Sequence, residues 1–183
     1  MSSLVTTRRE RVEVCLLVAF VDLTGFALQS TRVIDTELAD AVDGYYQRVT
    51  ERIAAAGGRV VKYIGDGTLV VFDADDTEPG VAALLDVKLL VDRYFEGLGW
   101  PCRATVKAHV GTVIAGPYGP PDDLRFDVIG TTVNTAAMLD TSGVALSAEA
   151  FDRLSPAMRQ RFKEHTSPVT YLRVEDTPKF RRR

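Results

Sequence analysis

The chain has 183 residues, 46% of them hydrophobic and 26% charged, with a formal net charge of −3. That is the composition of one globular domain with a single sizeable core, and so small a net charge argues against an extended polyanion-binding surface, so nucleic acid is not an expected partner. No stretch reaches the roughly 18 apolar residues that a membrane-spanning helix requires, so no membrane segment is expected.

Residues 1–11 are polar and read as a flexible segment. Glu10 and Glu13 interrupt the region where the apolar run of a leader would grow, so a cytoplasmic location is expected, although a fragment of a larger receptor would look the same. The run from Val14 to Val21 reads as a strand buried on both faces, and Asp22 closes it. Leu23, Thr24, Gly25 and Phe26 form a strand-to-helix turn whose backbone N–H groups can cradle phosphate oxygens. From Thr31 to Ala56 the apolar residues recur at helical spacing, with Tyr45 and Tyr46 on the core face.

Gly57-Gly58 ends that helix, and two β-rich runs follow, Arg59 to Ile64 and Thr68 to Phe72. Gly65-Asp66-Gly67 between them is hairpin chemistry and sets an acid at the tip. Asp73 to Gly80 reads as a solvated acidic turn, and Val81 to Phe95 as a helix. Cys102 to Val113 alternates as a strand, with Gly111 and Gly116 framing a second hairpin and His109 as a structural strand histidine. Cys15 and Cys102 lack metal-type spacing and read as buried thiols.

After a Pro-rich loop, Leu124 to Ile129 reads as a short strand, and Gly130 opens a helix from Thr131 to Asp140. The seven-residue interval from Asp127 to Asn134 brings a strand-end carboxylate and a first-turn amide together across that turn. Beyond it lie short strands at Val144 to Leu146, Arg161 to Glu164 and Val169 to Val174, and a helix from Ala148 to Leu154. One domain is expected over residues 12–176, with residues 177–183 a solvated basic tail that includes Arg181, Arg182 and Arg183.

Asp66 alone is good turn chemistry and reads as a solvated turn residue. Asp22 changes the balance, because a carboxylate ending a central strand can face one at the tip of a neighbouring hairpin. Two carboxylates with a nearby backbone carbonyl, here that of Leu23, suit hard divalent cations that also bind phosphate. Asp22, Asp66 and Leu23 are therefore the candidate metal ligands.

Asp22-Leu23-Thr24-Gly25-Phe26, the Gly57 to Gly67 stretch with Lys62 and Asp66, His109-Val110-Gly111, and Asp127 through Asn134 to Ala137 together resemble the catalytic domain of class III nucleotidyl (adenylate/guanylate) cyclases. The resemblance runs from about Val12 to Val174. It implies an α+β, ferredoxin-like palm, a mainly antiparallel sheet with helices packed on one face. It also implies conversion of a nucleoside triphosphate, ATP for a Lys/Asp pair, to a 3′,5′-cyclic nucleotide and pyrophosphate. Two Mg²⁺ or Mn²⁺ ions per site would sit on Asp22 and Asp66, Lys62 and Asp127 would read the base, and Asn134 would act in catalysis. Family enzymes share their sites across a dimer, and this chain carries both sets of residues, so a homodimer is expected.

One family position departs. The Arg that stabilises the reacting phosphate, four residues after the Asn, is replaced here by Met138. Arg125 is a candidate substitute. The phosphate-binding Lys that the family carries near the C-terminal strands has no clear match here: Lys163 is out of register with the usual pattern, and Thr166-Ser167-Pro168 occupies the expected loop. An active cyclase, one with altered base choice, and a silent domain that binds nucleotide or a partner remain distinct expectations.

Overall fold

A computed structural model describes residues 10–165 and 169–176. The expected N-terminal segment up to residue 9, the loop 166–168 and the basic tail lie outside the described residues. In chain order the elements are β1 (Val12–Thr24), α1 (Phe26–Ser30), α2 (Asp35–Ala55), β2 (Arg59–Ile64), β3 (Gly67–Asp73), a 3₁₀ turn (Ala74–Asp76), α3 (Thr77–Gly97), β4 (Arg103–Tyr118), β5 (Arg125–Ile129), α4 (Thr131–Met138), β6 (Val144–Ser147), α5 (Ala148–Phe151), α6 (Pro156–Arg159), β7 (Phe162–His165) and β8 (Thr170–Arg173).

One sheet holds the strands in the order β2-β3-β1-β4-β6-β8-β7, with β5 on the far part of β4. Every pairing is antiparallel except β4 with β6. Because side chains alternate along a strand, β1 feeds two cores. Leu17, Ala19, Val21 and Leu23 join the main cluster beneath α2 and α3, which includes Tyr45, Val49, Ile53, Val81, Leu84 and Phe95. Leu16 and Val18 face the other way, with Leu69, Val71, Val113, Ala115 and Val128, under Ala136 of α4.

The fold is thus the expected mixed α+β sheet with one correction: the helices are not confined to one face. A central strand apolar on both sides leaves a second face to cover, and α4 covers it. The approach is close. A Cβ at Gly111 would lie 2.5 Å from Thr132 Oγ1, while Thr132 donates to the Thr112 carbonyl at 2.6 Å. Gly111 and Gly116 therefore do not frame a hairpin. β4 runs from Arg103 to Tyr118 through both, and at Gly116 a Cβ would meet the Arg11 backbone at 2.9 Å. The hairpin instead joins β4 to β5 through residues 119–124.

Two helix boundaries also differ from expectation. The helix predicted from Thr31 starts later: Ile34 is extended and α2 begins at Asp35, with Asp35 and Glu37 in its first turn, where the helix dipole favours acids, while a separate short helix, α1, ends at Ser30. α3 begins at Thr77, inside the predicted acidic turn. Pro79 is tolerated there because a first-turn residue needs no intrahelical N–H bond. Glu78 is not solvated, since its carboxylate accepts from the N–H and hydroxyl of Ser155.

His109 is structural in its contacts. It is 8% exposed, with Nδ1 2.8 Å from Ser147 Oγ and 3.4 Å from Glu149 Oε2. Burial pulls its pKa below the ordinary 6.5, and Glu149 opposes this only in part. The unfolded chain therefore takes up the proton first as pH falls, and the stability due to this residue, complete above about 6.5, is lost toward the lowered folded value. The urea midpoint should drop between pH 7 and pH 5.5, with a shallower drop in His109→Gln.

Candidate active site

Asp22 lies near the end of β1, opposite Thr105 of β4, and Val21 beside it pairs with Thr68 of β3. The turn carrying Asp66 immediately precedes β3. A Cβ on Gly67 would come within 2.5 Å of Asp22 Oδ1, so the carboxylate rests against the backbone next to Asp66. Glycine at 67 makes that approach possible, and Gly65, at φ +60°, makes the turn. Burial raises the Asp22 pKa above 3.8, Lys107 draws it down, and the negative charge of Asp66 pushes it up. The two acids named from the sequence are thus brought together and repel each other.

Two consecutive tyrosines of α2 hold this region. The buried Tyr45 hydroxyl donates to the Val21 carbonyl at 2.9 Å and lies 3.0 Å from Thr68 Oγ1; burial raises its pKa far above 10. Tyr46 is half-buried. Its hydroxyl donates to the Gly65 carbonyl, and its ring stacks on Tyr63 with centroids 3.9 Å apart. Helical spacing marks both tyrosines as core, but nothing in it signals the bond from Tyr46 to the acid-bearing turn.

Leu23 and Thr24 complete β1, Gly25 turns the chain at φ +77°, and Phe26 begins the five-residue α1. The predicted loop is therefore the tail of a strand joined to a short helix. The turn packs closely: a Cβ at Gly25 would stand 3.0 Å from the Pro101 carbonyl oxygen.

A second constellation forms where β2 meets β5. The register of β2 slips between Val60 and Lys62, and that bulge re-aims the lysine. Lys62 Nζ reaches Asp127 Oδ2 at 2.6 Å, and Asp127 Oδ1 accepts the Val128 N–H at 2.8 Å. The pair lines a cavity of about 300 Å³ together with Gly130, Val133 and Asn134. A larger cavity of about 480 Å³ borders the outer side of the Asp66 turn, but Phe26, Leu38, Val42 and Tyr46 make it largely apolar.

Neither Asp22 nor Asp66 lines the cavity of Lys62, Asp127 and Asn134. Met138 ends α4 and is 82% exposed. Arg125 pairs with Asp123 at 2.9 Å on the outer loop and is no part of either constellation. Lys163 lies on β7, the far edge of the sheet. One further residue that sequence reasoning missed is Lys107, which the β1–β4 register puts on the same sheet face as Asp22.

Could these residues hold a divalent cation? Among the described residues no group of three or more His, Cys, Asp or Glu side chains forms a ligand cluster. Asp22 and Asp66 make a sparse pair of carboxylates whose mutual repulsion a cation would relieve, a donor chemistry that fits Mg²⁺ or Mn²⁺ bound jointly with phosphate.

The family profile described as the adenylate and guanylate cyclase catalytic domain matches residues 8–170. The chain belongs to the class III nucleotidyl cyclase family. An adenylate cyclase of Streptomyces coelicolor is 32% identical over 130 residues, which cover 71% of this chain and 30% of that one. An adenylate cyclase of Anabaena cylindrica is 25% identical over 131 residues, 67% of this chain and 26% of that one. The cyclase domain thus spans less than a third of either relative. Among solved structures, a bacterial light-regulated adenylyl cyclase superposes with TM-score 0.81 at 21% identity, over 93% of this chain and 55% of that one. The guanylyl cyclase Cya2 superposes with TM-score 0.78 at 22% identity, over 93% and 96%. These two likenesses establish the cyclase fold. No helix among the described residues is long and apolar enough to cross a membrane.

Proposed function

We propose that this domain is an adenylate cyclase that forms 3′,5′-cyclic AMP and pyrophosphate from ATP, working as a head-to-tail homodimer. The observation that carries the base assignment is the Lys62–Asp127 pair beside Asn134 in one cavity. Adenine presents a ring-nitrogen acceptor next to an exocyclic amine donor. The Lys62 ammonium donates to the first and the Asp127 carboxylate accepts from the second. Guanine presents the reverse pattern and leaves polar groups unpaired, at about 1–3 kcal/mol each.

Lys62→Ala should therefore raise the KM for ATP about tenfold and lower the ATP-over-GTP preference in kcat/KM by at least as much. Steady-state kinetics with both nucleotides checks this.

Asp22, Asp66 and the Leu23 carbonyl would hold two Mg²⁺ or Mn²⁺ ions, which supply Lewis-acid activation of the ribose 3′-hydroxyl and charge neutralisation at the phosphates. The Gly25 turn receives phosphate oxygens on backbone N–H groups. The 3′-oxygen bonds to the α-phosphorus, its proton goes to solvent, and the bond to the β-bridging oxygen breaks with its electron pair leaving on pyrophosphate. Asn134 orients the ribose and the reacting phosphate. The acids and the base-reading cavity form separate constellations in one chain, which supports a site assembled from the acids of one protomer and the cavity of its partner.

One observation favours a second reading, a silent nucleotide-binding domain: exposed Met138 offers the developing phosphoryl charge no cation. Production of cyclic nucleotide from ATP, GTP, CTP and UTP with Mn²⁺ and with Mg²⁺ separates the readings. ATP should be turned over fastest. Nucleotide binding without any product would establish the silent domain, and faster turnover of another nucleotide would overturn the base assignment.

A further inference from the structure

We infer that Lys107 supplies the phosphate-stabilising positive charge that Met138 does not, an inference that rests on the cyclase reading of the site. In the β1–β4 register Phe20 faces Lys107 and Asp22 faces Thr105, so Lys107 and Asp22 share one sheet face on adjacent pairs. The lysine is half-buried, and its Nζ lies 3.4 Å from the Ala137 carbonyl, at the C-terminal end of α4 and next to Met138. The ammonium thus stands on the same protomer and sheet face as the metal-binding acid, whereas in the proposed dimer the α4 end that meets the phosphate comes from the partner.

That contact is long for an ammonium donor, so little holds the charge on α4, and a four-carbon stem can swing it to a nearby phosphate. β4 carries a second cation on this face, Arg103, but its guanidinium is engaged by the Cys102 carbonyl, to which it donates at 2.8 Å. Lys62 is held by Asp127, Arg125 by Asp123, and Lys163 is remote on β7, so of the cations considered among the described residues Lys107 is the one placed to meet triphosphate bound at Asp22 and Asp66.

A cation in this position acts with opposite signs on the two ligands. It repels a free metal ion and attracts a triphosphate. A side chain that merely held the strands together would, when removed, weaken both. This difference makes the role testable without turnover.

The experiment compares the parent with Lys107→Met, Lys107→Arg, Met138→Arg and the Lys107→Met/Met138→Arg double variant. It measures Mn²⁺ binding by electron paramagnetic resonance, the affinity for 3′-deoxy-ATP with Mn²⁺, which lacks the attacking hydroxyl, and turnover of ATP. Lys107→Met should bind Mn²⁺ alone as well as the parent or better, bind 3′-deoxy-ATP about tenfold more weakly, and lose about 10–100-fold in kcat. Lys107→Arg should stay within a few-fold of the parent, and the double variant should recover part of the lost turnover. Unchanged triphosphate affinity and turnover in Lys107→Met, or equal weakening of Mn²⁺ and nucleotide, would overturn the inference. A parent that binds 3′-deoxy-ATP but makes no product removes the activity while leaving the affinities to decide on Lys107; a parent that binds none overturns both.

Discussion

Asp66→Ala should abolish cyclic AMP formation, with a loss of at least about 10³-fold in kcat/KM, while the protein stays folded. Asp66 caps a hairpin whose geometry rests on Gly65 and Gly67, and its side chain is only half-buried, so removing it creates no core cavity. Without metal the change should be neutral or slightly stabilising, because it takes a like charge away from Asp22. Mn²⁺ affinity should fall steeply, since a two-carboxylate set that loses one member cannot hold the ion between acid and phosphate. Thermal melts with and without Mn²⁺ check both halves. The parent melts higher with the ion and the variant does not. Retained turnover in Asp66→Ala would remove the metal assignment.

Met138→Arg should raise kcat about tenfold with little change in KM, because an added cation near the reacting phosphate acts on charge that grows in the transition state. The substitution is sterically cheap. Position 138 is 82% exposed and ends α4, where a positive side chain meets the negative end of the helix dipole. The gain should be larger in the Lys107→Met background, since two cations acting on the same charge are not additive. A gain near 10²–10³ in the parent itself would mean that no other residue supplies charge, and no gain in either background would mean that α4 does not reach the reacting phosphate.

The strands and the hairpin were legible because their signals are local. A continuous apolar run gave β1, β-branched residues around Gly65-Asp66-Gly67 gave the β2–β3 hairpin, and Gly130 marked the start of α4. Helix boundaries were less so: the apolar spacing ran unbroken through Val33 and Ile34, although the backbone is extended at Ile34, and the stretch read as an acidic turn up to Gly80 holds the first turn of α3. Gly111 and Gly116 misled because glycine serves two purposes. Here it admits a neighbour's backbone or side chain rather than turning the chain.

At the candidate site, the residue types and their order were readable, and the structure brings Asp22 to Asp66 and Lys62 to Asp127. Their roles rest on the proposed function. What the sequence could not display was anything set by tertiary packing: the grip of Tyr46 on the turn, the placement of Lys107 beside Asp22, and the coverage of the second sheet face by α4.

The two tyrosine hydroxyls have a mechanical meaning. α2 is a rod of about 32 Å, at 1.5 Å per residue, and it grips the chain on both sides of the acid pair, at Val21 through Tyr45 and at Gly65 through Tyr46. The gap between the two carboxylates is therefore set by where that rod lies as well as by the hairpin. Because both tyrosines sit at the middle of α2, any displacement of the helix would shift the chain on both sides of the acid pair together.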